Sequence, residues 1–286
     1  MQFFPRLTRQ SSRSLAQLLV PVSRLGVRSH STFMMEGTMS NANNRLRLLE
    51  ERYATDVSTP FPKQVNSVMK ALADETSREF SNGFMMISES QAMLLHQLVS
   101  ILRPKKVLEI GTFTGYSAIA MASALGPNAS LTTLELDPCH LAVARRFVKE
   151  ARLDKTVEFK QGPALESILE LVRQTPRPQF DVIFLDADKG GYIKYFNHIM
   201  ESNLLSDNGV IIADNVLFFG QVHQHAGYDD PETIPVSKNV KKLAKKAYDF
   251  NKYVREDDRV EVVLLPIFDG ITIIRKARSK TVNSLE

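Results

Sequence analysis

The chain has 286 residues, of which 43% are hydrophobic and 24% charged, a composition typical of a globular protein that buries a sizeable core. Its single cysteine, Cys139, excludes a framework of intrachain disulfides. The formal net charge is +4, but residues 1–35 contain five arginines and no acidic residue, so +4 minus five leaves −1 for the rest. Because that body is nearly neutral, the overall basicity does not indicate a nucleic-acid-binding surface.

The first 35 residues have the composition of a mitochondrial presequence. They are rich in Arg and Ser and can form an amphipathic helix with a cationic face. Their apolar run, Leu15–Val22, contains Gln17 and Pro21 and is too short to span a bilayer. We expect residues 1–35 to be a cleaved targeting segment, residues 36–286 to form one domain without a membrane span, and the protein to be mitochondrial. A basic tail without a targeting role, in a cytoplasmic protein, is the alternative.

Three helices are predicted before the first strand, over residues 41–56, 63–80 and Ser88–Leu102, the last of which Pro104 terminates. In the second and third helices, apolar residues recur at helical spacing, which indicates a buried face on each. These predicted faces consist of Val65, Val68, Met69 and Leu72, and of Leu94, Leu98, Ile101 and Leu102.

From Lys106 onward, strands and helices alternate along the predicted chain. This alternation predicts an α/β fold with a doubly wound, mostly parallel sheet, here of seven strands. The short turn Pro266–Gly270 should join the last two strands as an antiparallel hairpin. In chain order the predicted elements are strand Lys106–Ile110, helix Ser117–Leu125, strand Ser130–Leu136, helix Pro138–Ala151, strand Val157–Lys160, helix Ala164–Arg173, strand Phe180–Leu185, helix Tyr192–Leu205, strand Gly209–Ala213, helix Val236–Val254, and strands Val260–Leu265 and Ile271–Arg275.

A glycine-rich turn follows the first predicted strand, where ligands bind in doubly wound sheets. Three residues separate Gly111 from Gly115, unlike the G-x-G-x-x-G run that holds a pyrophosphate. Upstream, Glu109 would repel a pyrophosphate but suits an amino group or a sulfonium. At the end of the second strand, 20 residues after Gly115, Glu135 can accept hydrogen bonds from ribose hydroxyls. The pattern favours S-adenosylmethionine over NAD; a solvated acid beside an ordinary turn is the alternative.

Polar residues also follow the fourth and fifth predicted strands, which should be neighbours in the sheet. Asp186 and Lys189 follow the fourth strand, and Asp214 and Asn215 follow the fifth. Two carboxylates and one amide oxygen favour Mg²⁺, with Mn²⁺ or Ca²⁺ as alternatives, over zinc. A lysine that is partly desolvated beside a divalent cation can remove a proton from a bound hydroxyl. Each acid alone could instead cap a helix.

Three segments of the chain resemble the cation-dependent O-methyltransferases, which include caffeoyl-CoA and catechol O-methyltransferases. They are Leu108–Ala120, Leu185–Tyr192 and Ile211–Asn215, and the resemblance extends over roughly Met85–Ile274. It is specific because the glycine-rich turn, the D-A-D-K-x-x-Y run and the A-D-N end occur in this order. Gly162-Pro163-Ala164 and Asp269-Gly270 also look like the caffeoyl-CoA branch.

This resemblance implies a Rossmann-like class I methyltransferase that methylates a hydroxyl of a metal-chelated vicinal diol, such as a catechol or a caffeoyl-type CoA thioester. It also implies that Lys189 is the general base and that the protein is a homodimer. Together with the spacing argument, it assigns Asp186, Asp214 and Asn215 to the metal. The residues expected to bind S-adenosylmethionine are Met85, Glu109, Gly111, Gly115, Ser117, Glu135, Ala164, Asp186 and Asp188.

The segment after Asn215 departs from the family pattern, because it lacks a Trp often found there. It continues to Ile234 and should border the acceptor, so the sequence leaves the acceptor's identity open among a CoA ester, a free catechol, a flavonoid and another diol. His223 and His225 in this segment could bind zinc, but no cysteine accompanies them, and a solvated loop is favoured.

A methyltransferase that acts on a protein or nucleic acid is the alternative function, and a catalytically idle binding protein is another. The first is supported by a lysine cluster in the predicted helix Val236–Val254. We interpret the cluster as a solvated helix face, and expect no nucleic-acid partner. Its members are Lys241, Lys242, Lys245 and Lys246, and the inward residues would be Val240, Leu243 and Ala247.

Overall fold

The computed structural model describes residues 42–228 and 235–278. The predicted presequence, residues 1–35, and the predicted start of the domain at residue 36 lie outside the described residues. Across the described segments, none of the helices is both long and apolar enough to span a membrane.

Helices and strands alternate along most of the described chain. The helices are α1 (Ala42–Val57), α2 (Lys63–Glu79), α3 (Glu89–Leu102), α4 (Tyr116–Ala122), α5 (Pro138–Glu150), α6 (Ala164–Arg173), α7 (Tyr192–Glu201), α8 (Val222–His225) and α9 (Lys238–Glu256), with a 3₁₀ turn at Gly83–Met85. The strands are β1 (Lys106–Ile110), β2 (Ser130–Glu135), β3 (Val157–Gln161), β4 (Phe180–Leu185), β5 (Leu205–Asp214), β6 (Val260–Leu265) and β7 (Ile271–Lys276).

The seven strands form one sheet in the order β3-β2-β1-β4-β5-β7-β6. Strands β1 to β5 pair in parallel, and β7 lies antiparallel between β5 and β6. The prediction of a mostly parallel, doubly wound sheet with a C-terminal antiparallel hairpin is therefore confirmed. Strands β1 to β3 are added toward one edge of the sheet, and β4 and β5 toward the other, so the strand order reverses between β1 and β4. Ligands bind at such a switch point, beyond the carboxyl ends of the strands.

Both faces of the sheet are covered by helices. Successive side chains of a strand point to opposite faces, and the central strands carry apolar side chains on both, so each face needs a covering layer. Val107 packs with residues of α2 to α5, such as Leu72 and Leu95, on one face. Leu108 packs on the other face with residues of α6, α7 and α9, such as Phe196. Each fully buried aliphatic or aromatic side chain contributes about 1.5–3 kcal/mol, and this two-sided core fixes the strand ends that carry the polar residues.

The predicted buried face of α3 is wrong, whereas that of α2 is confirmed except at Val68, which is only partly buried. Ile101 and Leu102 are exposed, and Leu94 and Leu98 are only partly buried. Since α3 is apolar on most of its sides, hydrophobic spacing did not distinguish the face that packs. The residues that α3 buries are Gln91, Ala92, Leu95 and Val99.

The predicted boundary between α7 and β5 is also wrong. The helix ends at Glu201 rather than at Leu205, and the strand starts at Leu205 rather than at Gly209. Asn203 turns the chain with a φ of 53°, and the Phe180 N–H donates to the Leu204 carbonyl at 2.7 Å. The remaining bounds agree within three residues; α9, for example, starts at Lys238 because the Ser237 side chain caps it.

Candidate active site

The glycine-rich turn after β1 places the backbone of β1 directly against the end of β4. Gly111 has a φ of +103°, and a Cβ on it would lie 1.9 Å from the Asp186 carbonyl oxygen. Gly115, with a φ of +95°, would place a Cβ 3.0 Å from the Cβ of Ala144 in α5. Both conformations favour glycine, so these glycines are required by packing between protein segments as well as by any ligand above them.

Glu109 of β1 is fully buried beneath this turn. Its carboxylate accepts hydrogen bonds from the Ser117 hydroxyl at 2.5 Å and from the Thr133 hydroxyl at 2.5 Å. Burial raises the pKa of Glu109 to about 8, and these two hydrogen bonds oppose the shift. The structure therefore brings Glu109 and Ser117 together, and a cation placed above them would relieve the cost of ionising the carboxyl group.

Glu135 lies at the end of β2, beside the same turn. Its two oxygens accept hydrogen bonds from the backbone N–H groups of Phe113 at 2.7 Å and Asp137 at 2.8 Å. The rings of Phe113 and His140 pack edge to face with centroids 4.6 Å apart, and the His140 Nδ1 lies 3.6 Å from Glu135. The carboxylate is thus held in one orientation at the rim, where a second lone pair on each oxygen can accept from a diol.

The ends of β4 and β5 bring the predicted metal ligands around the ammonium group of Lys189, which is only 7% exposed. Its Nζ lies 3.5 Å from the Asp186 Oδ1, 3.3 Å from the Asn215 Oδ1 and 3.1 Å from the Asp214 carbonyl oxygen. It also donates to the hydroxyl of Tyr192. Asp186, Lys189, Asp214 and Asn215 therefore form one cluster, as the strand order predicts.

A buried carboxylate, that of Asp214, and a partly buried one, that of Asp186, lie in this cluster with a single ammonium group. Burial raises the pKa of Asp186 above its ordinary value, against the lowering effect of Lys189. Burial also raises the pKa of Asp214 to about 7, and the negative charge of Asp186 adds to that shift. A second positive charge is consequently favoured here. Two carboxylates and an amide oxygen are hard donors that fit a divalent cation of the Mg²⁺ type.

Two residues of the cluster were missed by the sequence reasoning. The Gln91 amide donates to the Asp214 Oδ2 at 2.5 Å. The Tyr192 hydroxyl donates to the carbonyl oxygens of Leu185 at 3.1 Å and Asp214 at 3.0 Å, and it accepts from Lys189. The D-A-D-K-x-x-Y run contains Tyr192 and could have identified it, whereas nothing in the sequence distinguishes Gln91 from a surface glutamine.

Three predicted cofactor residues lie outside these hydrogen-bonded groups. Met85 is 53% exposed in the 3₁₀ turn, where its sulfur accepts from the Asn82 amide at 3.6 Å. Ala164 is the first residue of α6. Asp188 is exposed, and its carboxylate accepts from the Tyr195 hydroxyl at 2.6 Å. Of the three, Asp188 is fixed at the rim by a hydrogen bond.

The segment after Asn215 is held in place by the turn between β6 and β7. The Leu217 N–H donates to the Asp269 carbonyl at 2.9 Å, and the Phe219 N–H donates to the Asp269 carboxylate at 2.6 Å. Phe218 and Phe219 have φ values of 40° and 55°, a region in which such residues are strained. These hydrogen bonds hold the segment that directly follows Asn215, where Phe219 is 45% exposed.

The two histidines of this segment lie on the short helix α8, so the prediction of an irregular loop there is corrected. The side chain of Val222 packs α8 on α9, which explains the helix. Throughout the part of the chain that the structure describes, no three His, Cys, Asp or Glu side chains gather as metal ligands. The four lysines of α9 are exposed and Ala247 is buried, so the solvated-face interpretation is confirmed.

Known proteins share this fold and much of this sequence. Residues 61–277 match the O-methyltransferase family model. The caffeoyl-CoA O-methyltransferase of Medicago sativa is 30% identical over 219 residues, which are 76% of this chain and 85% of that protein. A Podospora anserina methyltransferase bound to S-adenosylhomocysteine has a TM-score of 0.72 at 28% identity, over 84% of this chain and 97% of that one. The O-methyltransferase of Streptomyces achromogenes involved in tomaymycin synthesis, in complex with S-adenosylmethionine, has a TM-score of 0.67 at 25% identity, over 80% and 96%.

Proposed function

The chain belongs to the O-methyltransferase family, and we propose that it methylates a hydroxyl of a vicinal diol on a small phenolic molecule. The methyl donor is S-adenosylmethionine, and the acceptor would be a catechol or a caffeoyl-type CoA thioester. The single observation that carries the proposal is the cluster of Asp186, Asp214 and Asn215 around Lys189, beside the glycine-rich turn. A diol that chelates a cation at this cluster would place one hydroxyl next to the methyl donor.

The cofactor side of the site is supported by the carboxylates of β1 and β2. Glu135 is oriented at the rim by two backbone N–H groups, which suits it to accept from the two ribose hydroxyls. Asp188 would add negative charge toward the sulfonium and amino groups of the methionine part, and so would Glu109 once a bound cation relieves the cost of ionising it. These residues would hold the cofactor next to the cluster at the ends of β4 and β5.

On the acceptor side, Asp186, Asp214 and Asn215 would hold a divalent cation, which we propose to be Mg²⁺. When bound, such a cation stabilises the deprotonated form of a chelated hydroxyl and orients it. With the cation bound, the ammonium group of Lys189 would first release a proton to solvent, and the neutral amine would then accept the proton of that hydroxyl at its Nζ. The oxygen then forms a bond to the methyl carbon as the carbon–sulfur bond breaks. Since this attack requires in-line alignment, a rigid rim favours it.

Methyl transfer from labelled S-adenosylmethionine to a panel of catechols and caffeoyl-type thioesters tests this proposal. The full chain is assayed with Mg²⁺ and again with EDTA. We expect labelling of vicinal diols that requires Mg²⁺. If no diol is labelled while calorimetry shows that S-adenosylmethionine binds, the acceptor assignment is wrong, and a protein or nucleic-acid acceptor becomes the leading hypothesis.

We also propose that residues 1–35 direct the protein to mitochondria and that it works as a homodimer. Mitochondrial targeting is supported by the composition of residues 1–35, which is rich in Arg and free of acidic residues. The homodimer is supported by similarity to the caffeoyl-CoA branch. Fusion of residues 1–35 to a fluorescent reporter should give a mitochondrial signal, and a diffuse cytosolic signal would refute the address. Light scattering of the purified protein should give twice the chain mass; the mass of one chain would refute the dimer.

A further inference from the structure

A buried glutamine outside the strand ends contacts one of the proposed cation ligands. Gln91 lies in the first turn of α3 and is 4% exposed. Its Nε2 donates a hydrogen bond of 2.5 Å to the Oδ2 of Asp214, which is fully buried. The two residues are 123 positions apart in the chain, so only the packing of α3 against the sheet brings them together.

The backbone of Gln91 is fixed by the start of its helix. The Ser88 side chain caps α3 by accepting from the Gln91 N–H at 3.3 Å, and the Ala92 N–H donates to the Ser88 carbonyl at 2.9 Å. Leu95, one turn along the same face, is fully buried in the core. The amide of Gln91 is therefore delivered to Asp214 from a rigid support.

Asp214 is held at its other polar atoms as well. Its Oδ1 accepts from the Asn215 N–H at 2.7 Å, and its carbonyl oxygen accepts from Lys189 and Tyr192. With the Gln91 bond, each carboxylate oxygen accepts one hydrogen bond and keeps a second lone pair. The carboxylate plane is thereby defined, and lone pairs remain for a cation.

We propose that Gln91 is a positioning residue that orients the Asp214 carboxylate for cation binding. This inference rests on the proposed function. A glutamine suits the task because it donates a hydrogen bond without adding a charge: a lysine there would compete with the cation, and an ionised carboxylate would repel Asp214. Loss of a residue that hydrogen-bonds to a metal ligand commonly weakens metal binding by about 10- to 100-fold.

The test measures Mn²⁺ affinity by calorimetry on the full chain, in saturating S-adenosylhomocysteine and without an acceptor. Gln91→Met keeps the side-chain length but removes the donor, and we expect Mn²⁺ to bind about 10- to 100-fold more weakly. Gln97→Met, at an exposed position of the same helix, is the matched control and should leave the affinity unchanged. The affinity for S-adenosylhomocysteine should be unchanged in both variants.

A second readout separates positioning from a general structural role. With any diol that the wild type methylates, excess Mg²⁺ should restore the turnover of Gln91→Met, because the defect is in cation affinity. If Gln91→Met does not fold, Gln91→Asn, whose amide is one methylene too short to reach Asp214, should show the same weakening. Unchanged Mn²⁺ affinity, or an equal loss of S-adenosylhomocysteine binding, overturns the inference while the proposed function stands. If the wild type itself binds no Mn²⁺, both fail.

Discussion

On the β1–β2 half of the rim Glu109 and Glu135 accept hydrogen bonds from neutral protein groups. On the β4–β5 half Asp214 also accepts from neutral groups, but here two carboxylates lie near the ammonium group of Lys189. Glu109 is satisfied by two hydroxyls, and Glu135 by two backbone N–H groups. Asp186 and Asp214 lie close enough for the charge of Asp186 to raise the pKa of Asp214. The positive charge of Lys189 acts in the opposite direction and lowers the pKa of both. The first half is organised by hydrogen bonds to neutral groups, and the second by such hydrogen bonds together with charge.

This difference indicates what each half can bind. Oriented, hydrogen-bonded carboxylates select a ligand with hydroxyl and amino groups in fixed positions, such as the ribose and methionine parts of the cofactor. Neighbouring carboxylates with too little positive charge favour a cation, because the cation offsets their mutual repulsion. Substitutions on each half of the rim test this division.

Replacing a proposed cation ligand should have the largest effect. We expect Asp214→Ala to lower Mg²⁺-dependent methyl transfer by about a thousandfold, or about 4 kcal/mol, because the cation loses a ligand. Asp207→Ala, at a 91% exposed side chain of the same strand, is the control and should retain full activity. Circular dichroism checks that the variant is folded. Activity in Asp214→Ala equal to that of the wild type would remove Asp214 from the site.

Replacing Glu109 should change how stability depends on pH. The folded ligand-free protein keeps a proton on Glu109 up to about pH 8, whereas the unfolded chain releases it near 4.5, so wild-type stability falls as the pH rises between these values. In Glu109→Gln this dependence is absent, and its stability relative to wild type should rise by on the order of 3 kcal/mol from pH 5 to pH 8. Urea unfolding at several pH values measures the difference; parallel curves for the two proteins would contradict the prediction.

Removing the proposed base should lower turnover but leave cofactor binding intact. We expect Lys189→Met to reduce the rate constant of methyl transfer by about a hundredfold, since no other described group of the cluster replaces its Nζ. The exposed Lys194 of α7 provides the control variant, Lys194→Met. Stopped-assay kinetics and calorimetry separate turnover from affinity, and an equal loss of both would make Lys189 a structural residue instead.

The smallest of these effects should appear at the ribose carboxylate. Glu135→Gln retains the shape but loses the charge, and we expect S-adenosylmethionine to bind about tenfold more weakly, or about 1.4 kcal/mol. The exposed Glu158 of the neighbouring strand β3 gives the control, Glu158→Gln, with unchanged affinity. An unaltered affinity in Glu135→Gln would show that the rim carboxylate does not contact the cofactor.

The sequence predicted the sheet and the rim because their signals are local. Each buried strand is a short apolar run, and the polar residues directly after it must lie at its carboxyl end. Parallel neighbours therefore bring Asp186 and Asp214 together without any further information. The glycines of the turn were also visible, although the structure adds that Asp186 and Ala144 require them.

The parts that the sequence did not predict depend on contacts between distant segments. The apolar residues of α3 extend beyond the face that packs, so spacing selected a face containing Ile101 when the sheet buries the face of Gln91 and Leu95. The start of β5 depends on pairing of Leu205 with Phe180. The short helix α8 forms where Val222 packs on α9, and four residues carry too little periodicity to predict it.

The most direct measurement compares two acceptors that differ in one group: a caffeoyl-type vicinal diol and the same molecule with a single ring hydroxyl. Both are offered to the full chain with labelled S-adenosylmethionine, with Mg²⁺ and with EDTA. A cation site on the β4–β5 half predicts methylation of the diol only when Mg²⁺ is present, and none of the single hydroxyl under either condition. Equal methylation of both molecules in EDTA would contradict it, because the charge-organised half of the rim would then have no part in the reaction.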